Sequence, residues 1–240
     1  MADALPEQWA NREFADNYLQ IADTIIVGRK RSLEMLKSFY RHFLENNKPN
    51  TILDLGCGDG ILTYELLQID DSISAVLIDG SESMLEKASE KLSDLKQSQF
   101  IQANFQDLIT SGIELRQFNL AVSSLAIHHL TNVEKLDFFR YVFSCLVEGG
   151  YFIVIDTVRA PASPVEEWQM KLWKEGAIEQ GHSSEIEDIF TKMVQQYMAE
   201  GHYCNIDTLE SQMNALKDAG FQDVDCFYKR GMFAMYGGKK

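Results

Sequence analysis

Two kinds of side chain in this sequence could act on a ligand. One kind is a carboxylate set beside glycines. Asp54 lies in Thr51-Ile52-Leu53-Asp54-Leu55-Gly56-Cys57-Gly58-Asp59-Gly60, and Asp79 closes the apolar run Ile73-Ser74-Ala75-Val76-Leu77-Ile78-Asp79. The other is the imidazole pair His128 and His129 in Ser123-Ser124-Leu125-Ala126-Ile127-His128-His129-Leu130. Glycine has no Cβ and tolerates positive φ, so a glycine-rich turn lets the backbone approach a ligand closely. The spacing at Gly56, Gly58 and Gly60 is not the Gly-x-Gly-x-x-Gly of dinucleotide sites, and no Gly-Lys-Ser/Thr closes a phosphate loop. A carboxylate at Asp54 would repel a pyrophosphate and attract an ammonium group. The plain alternative is an ordinary turn between a strand and a helix.

The elements that must hold these residues follow from the pattern around them. Thr51–Leu55 is β-branched and aliphatic, which favours a buried strand, and the amphipathic run 61–67 reads as a helix. A second strand ends at Asp79. Ser81 and Ser83 are candidate helix caps, Glu86 completes a capping box with Ser83, and Leu85, Ala88, Leu92 and Leu95 form one helix face. The third strand spans 100–103 and delivers Asn104 and Phe105; the fourth spans 118–124 and delivers the histidines. A helix with Val133, Leu136, Phe139, Phe143 and Leu146 on one face is expected to stop at Glu148-Gly149-Gly150, before a fifth strand over 151–156. Residues 1–47 read as helices carrying Trp9, Phe14, Tyr18 and Ile21. Residues 157–205 break the alternation with two helices, one around Trp168, Leu172 and Trp173 and another around Ile186 to Tyr197. Asp207-Thr208-Leu209-Glu210 resembles a further capping box. A closing strand pair spans 224–228 and 232–236.

Composition narrows the partners. The chain has 240 residues, 22 basic and 36 acidic, for a net charge of −14. A nucleic-acid binder needs a basic footprint, so a small molecule is the expected partner and nucleic acid is not. No apolar run is long enough to span a bilayer, and residues 1–7 lack the character of a signal peptide. Four scattered cysteines without a close metal-type pair read as reduced thiols in a cytoplasmic protein.

Asp54-Leu55-Gly56-Cys57-Gly58-Asp59-Gly60 closely resembles the first motif of class I S-adenosylmethionine (SAM)-dependent methyltransferases. Asp79, Asn104 and the Ser123–Leu130 stretch follow in the expected order, and the resemblance covers most of 50–157 and 206–236. It is closest to the bacterial and archaeal group that methylates small molecules. It implies one α/β domain over 1–240: a Rossmann-like, seven-stranded, mostly parallel sheet with one antiparallel strand and helices on both faces. To this are added an N-terminal helical cap over 1–47 and a helical insertion, read as a lid, over 157–205 after the fifth strand. It also implies roles. Gly56, Cys57 and Gly58 would line the methionine portion, with Asp54 orienting its amino group. Asp79 would hold the ribose; Gly80, Ser81 and Met84 would border the adenosine; Asn104 and Phe105 would hold the adenine. The Ser123 carbonyl and Ser124 would sit near the ammonium or sulfonium. Cys57 reads as small packing. Arg29, in the basic run Arg29-Lys30-Arg31, is either on a solvated face or reaches a ligand carboxylate.

The expected chemistry is transfer of an activated methyl group to an oxygen or nitrogen of a small organic acceptor. A general base is needed only if the acceptor must first lose a proton, and His128 and His129 are the candidates. Ordinary packing of these rings is the competing reading. The lack of an Asn/Asp-Pro-Pro-aromatic motif, of Pro-Cys or Thr-Cys, and of converging thiols weakens base-amine, cytosine and arsenic methylation. Trp168, Trp173, Phe190, Met193, Tyr197 and His202 would line an acceptor pocket, or else pack on the body or on a second subunit of a homodimer. Two further readings remain: a SAM-binding scaffold without turnover, and another group transfer from SAM.

Overall fold

The computed structural model describes residues 12–47, 49–93, 97–111, 115, 117–181 and 205–240. Trp9, Leu95 and the second helix expected in the insertion, with Phe190, Met193, Tyr197 and His202, lie outside them. The strands are β1 (Thr51–Leu55), β2 (Ser74–Asp79), β3 (Ser98–Gln102), β4 (Phe118–Ser124), β5 (Leu146–Thr157), β6 (Gln222–Arg230) and β7 (Phe233–Lys239). They form a 7-stranded sheet in the order β3-β2-β1-β4-β5-β7-β6. Pairings across β3-β2-β1-β4-β5 are parallel, and β7 runs antiparallel to both β5 and β6. The expected fold is therefore present, with the strand order reversing between β1 and β4, whose onward connections lead to opposite sides. In open α/β sheets such a reversal point leaves a ligand crevice at the strands' carboxyl ends.

The helices are α1 (Arg12–Ile25), α2 (Arg29–Phe43), α3 (Ile61–Leu67), α4 (Glu82–Lys91), α5 (Phe105–Ser111), α6 (Asn132–Cys145), α7 (Ser163–Gly181) and α8 (Leu209–Asp218). Side chains alternate across each strand, so the sheet has two apolar faces. Leu53, Leu55, Ala121 and Val154 pack with Leu108, Phe138, Phe139, Val142 and Leu216 of α5, α6 and α8. Ile52, Leu77, Val122 and Ile155 pack with Leu36, Tyr40, Leu62, Leu66 and Ala88 of α2, α3 and α4. A smaller cluster joins Ala22, Ile25, Trp173, Ala177, Met232 and Phe233. There α7 is tied to α1, with Trp173 Nε1 donating to the Ile25 carbonyl at 2.5 Å. Among the described residues no helix is long and apolar enough to cross a membrane.

Several local expectations need correction. Ser81 caps α4, its hydroxyl accepting from Met84 N at 3.4 Å, and Ser83 lies inside the helix. The capping box forms at Thr131 and Glu134, whereas Thr208 caps α8 without one. Helix α6 ends at Cys145, and Leu146–Gly150 belongs to β5. Val133 is 75% exposed and so is not on the packed face of α6. Trp168 is 58% exposed, and Trp173 packs on α1.

Lys135 of α6 is only 1% exposed. Its ammonium donates to the Asn205 carbonyl and to Asp207 Oδ2 (2.8 Å), while Asn205 Nδ2 donates to the His129 carbonyl at 3.4 Å. A buried cation thus joins α6 to the segment that follows the insertion, beside the histidine turn. Lys135→Met strands the Asp207 charge and should cost about 3–5 kcal/mol, whereas Lys135→Met with Asp207→Asn should recover most of it. Denaturant unfolding of the two variants checks this.

Candidate functional site

The carboxyl ends of β1, β2 and β4 bring the carboxylates and histidines to one edge of the sheet. After β1 the chain turns through Gly56 (φ 63), Gly58 (φ 54) and Gly60 (φ 76). A Cβ at Gly56 would stand 2.4 Å from Ala126 Cβ and 3.0 Å from Phe105 Cζ, so this turn can lie against the β4 loop only as glycine. A Cβ at Gly58 would meet nothing within 4 Å, so here the backbone faces open space.

Asp79 holds that turn. Its Oδ2 accepts from Gly58 N and its Oδ1 from Ser81 N, both at 2.8 Å. Burial raises its proton affinity, and backbone N–H groups of Ser81, Gly58 and Gly80 act against this. Asp54 is fully buried; Oδ2 accepts from Thr63 Oγ1 at 2.7 Å, and Oδ1 has no hydrogen-bond partner. Burial, opposed by the Thr63 bonds and reinforced by Asp79 and Asp59, pushes the Asp54 carboxyl up to about 7. Asp59 is paired with Lys91 of α4. The Cys57 thiol is pushed well up by burial and by the neighbouring carboxylates of Asp54, Asp79 and Asp59.

The other expected residues are distributed as follows. Gly80, Ser81 and Met84 follow Asp79 at the start of α4, with Met84 buried. Asn104 immediately precedes α5, and its Oδ1 is a second buried acceptor without a partner. Phe105 packs on Phe138, ring centroids 4.4 Å apart, and covers Gly56. Ser123 Oγ is committed to the Leu55 carbonyl at 2.7 Å, joining β4 to β1, and Ser124 ends β4 half-buried. Arg29 pairs with the exposed Asp23 at 2.5 Å.

The histidine turn depends on a residue whose role was not read from the sequence. Leu125 adopts φ 51, a left-handed conformation uncommon for a bulky side chain. The chain then enters a short 3₁₀ turn, Ile127–His129. Asp156, at the end of β5 and 2% exposed, organises it. Its Oδ2 accepts from Ile127 N (3.0 Å) and His128 N (3.1 Å). Its Oδ1 accepts from Thr157 N (2.7 Å) and pairs with His128 Nδ1 at 2.6 Å. His129 stacks on His128 with centroids 4.1 Å apart. Tyr18 of α1 joins the same neighbourhood: burial pushes its hydroxyl up to about 12, Arg29 lowers it, and Asp59 and Asp156 raise it. From the sequence, position 18 showed only an aromatic on a helix face; its electrostatic proximity to Asp59 and Asp156 comes from the fold.

Residues 46–215 match the methyltransferase-domain family, which is more than half of the chain. The chain belongs to the class I SAM-dependent methyltransferases. This methyltransferase is 28% identical over 152 residues to an uncharacterized methyltransferase of Anoxybacillus flavithermus, covering 61% of this chain and 68% of the relative. It is 23% identical to a carboxy-S-adenosyl-L-methionine synthase of Helicobacter pylori, covering 100% of both chains. Among solved structures, an O-methyltransferase family protein from Burkholderia thailandensis superposes with a TM-score of 0.67 at 12% identity. That match covers all of this chain and 64% of the larger protein, so the methyltransferase spans less than two thirds of that chain.

SAM carries an ammonium group and an adenine amine, both hydrogen-bond donors. The site offers two buried acceptors without partners, Asp54 Oδ1 and Asn104 Oδ1, and a glycine backbone open at Gly58. The residues present therefore fit this cofactor.

Proposed function

We propose that this methyltransferase moves a methyl group from SAM to an oxygen or nitrogen of a small organic molecule, with His128 as the base that takes the acceptor's proton. When bound, SAM supplies an activated methyl group on its sulfonium. The chain's own residues then bind, orient and exclude water. Asp79 accepts from the ribose hydroxyls, Asn104 from the adenine amine and Asp54 from the ammonium group. Gly56, Cys57 and Gly58 present backbone to the methionine portion; Gly80, Ser81, Met84 and Phe105 border the adenosine, and Ser123 and Ser124 the sulfonium side. Arg29 exchanges Asp23 for a ligand carboxylate. The acceptor lies beside α1 and α7, the described helices of the N-terminal segment and of the insertion.

The observation that carries the base assignment is the 2.6 Å contact between His128 Nδ1 and Asp156 Oδ1. A carboxylate accepts from Nδ1–H, which leaves Nε2 as the ring nitrogen able to take a proton. His129, stacked on His128, flanks it. A small acceptor suits the net charge of −14.

Formation of S-adenosylhomocysteine from SAM across a panel of small alcohols, phenols, carboxylic acids and amines tests this reading. His128→Ala should hold SAM affinity within about threefold and lower turnover about 10²-fold or more. Undiminished turnover would remove His128 as the base, and lost SAM binding would place it within the cofactor site. A second reading, transfer of another group to or from SAM, draws support from the full-length match to a carboxy-S-adenosyl-L-methionine synthase. Mass analysis of the products separates the two.

A further inference from the structure

Asp54 is a buried carboxyl whose charge the protein leaves uncompensated. Its Oδ1 has no hydrogen-bond partner, and Thr63 of α3 serves only Oδ2. The groups that bear on it are acidic: Asp79 from the end of β2, and Asp59 and the Cys57 thiol from the glycine turn. Among the described residues, Lys91 and Lys87 of α4 pair with Asp59 and Asp16, and Arg29 and Lys37 of α2 pair with Asp23 and with Glu65 of α3. Across the sheet, β4 presents the apolar Val122 opposite Asp54. With the carboxyl pushed up to about 7, the free protein holds a proton here about half the time near neutrality.

This step rests on the reading of the site as a SAM site. We propose that docking of the cofactor's ammonium group at Asp54 drives a proton off the Asp54 carboxyl into solvent, so that SAM binding is proton-coupled. The ammonium places N–H donors against Oδ1. The carboxylate accepts them, whereas a protonated carboxyl turned toward them would oppose donor to donor. An opposite charge in a dry pocket favours the ionised form, so the carboxyl's proton affinity falls on binding and the proton leaves. By linkage, SAM binds more tightly as pH rises toward 7, about tenfold per unit well below it, and the gain levels off above it. The device matches the site to a cationic ligand without holding a bare buried charge in its absence.

Calorimetry with SAM in two buffers of different ionisation enthalpy measures the proton count. At pH 6.0 and 7.0 the ligand's own amino group stays largely protonated, below the ordinary α-amino range of about 7.7–8.0. The expected release approaches one proton per site at pH 6.0 and is smaller at pH 7.0. 5′-Methylthioadenosine, which lacks the ammonium, should bind with essentially no release, and Asp54→Asn should bind SAM without it. Thr63→Val, which removes a bond that favours the carboxylate, should raise the release at pH 7.0 and so tests the proposal even if Asp54→Asn fails to fold. SAM binding with equal heats in both buffers, equal release with 5′-methylthioadenosine, or an unchanged value in Thr63→Val would each overturn the proposal. Failure of both SAM and 5′-methylthioadenosine to bind would instead overturn the cofactor site beneath it.

Discussion

Asp79→Ala should lower SAM affinity by about 10²- to 10³-fold. The carboxylate performs two tasks at once. Its oxygens accept from Gly58 N and Ser81 N at 2.8 Å, which sets both the glycine turn and the start of α4. Their remaining lone pairs are what two vicinal ribose hydroxyls require. Hydrogen bonds to a charged group contribute about 1.5–3 kcal/mol each, so losing two, with a loosened turn, comes to about 3–4 kcal/mol. That corresponds to about two to three decades in the dissociation constant. Asp79→Asn keeps one acceptor oxygen and should lose about tenfold. Calorimetry with SAM measures both, and near-wild-type affinity in Asp79→Ala would remove Asp79 from the ribose site.

Asp79 was legible because strand, glycine turn, helix, strand and carboxylate follow one another along the chain. Each piece is local, and the parallel pairing of β1 with β2 brings Asp79 beside Gly58. The buried strands and their alternation with helices were readable in the same way, and the seven-stranded, mostly parallel sheet was implied by the family resemblance. Leu146–Gly150 was not. A Gly-Gly pair reads as a helix stop, yet here it serves a close backbone approach: a Cβ at Gly150 would stand 3.0–3.2 Å from the carbonyls of Val147, Phe118 and Asn119. Lys135 on a helix reads as solvated, and its burial follows from Asp207, 72 positions away. Trp168 and Trp173 showed aromatic character but not direction, and one proved exposed while the other anchors α1. Asp156 looked like any carboxylate at a strand end, because its partners Ile127 and His128 lie 29 and 28 positions earlier in the chain.

Asp156→Ala should be among the most damaging single changes in the protein. It removes the acceptor for three backbone N–H groups and for the His128 ring, in a place where water cannot replace it. Unsatisfied buried donors cost about 1–3 kcal/mol each, which sums to about 4 kcal/mol or more. For a chain of this size that lowers the melting temperature by roughly 8–16 °C. Asp156→Asn keeps an acceptor for the backbone but can turn an amide N–H toward His128 Nδ1, which favours the other tautomer. It should melt within about 2 kcal/mol of wild type while turnover falls about 10²-fold with SAM affinity retained. Thermal melts and SAM calorimetry on the two variants separate the structural task from the orienting one. A wild-type melting temperature in Asp156→Ala would contradict the account of the histidine turn.

The central claim, that the edge formed by Asp54, Gly58, Asp79 and Asn104 is a SAM site, is tested most directly by titrating the purified protein with SAM and S-adenosylhomocysteine in a calorimeter. The account predicts saturable binding of both near one site per chain. Absence of heat and of binding for both ligands, on protein shown by mass spectrometry to carry no bound ligand, would contradict it.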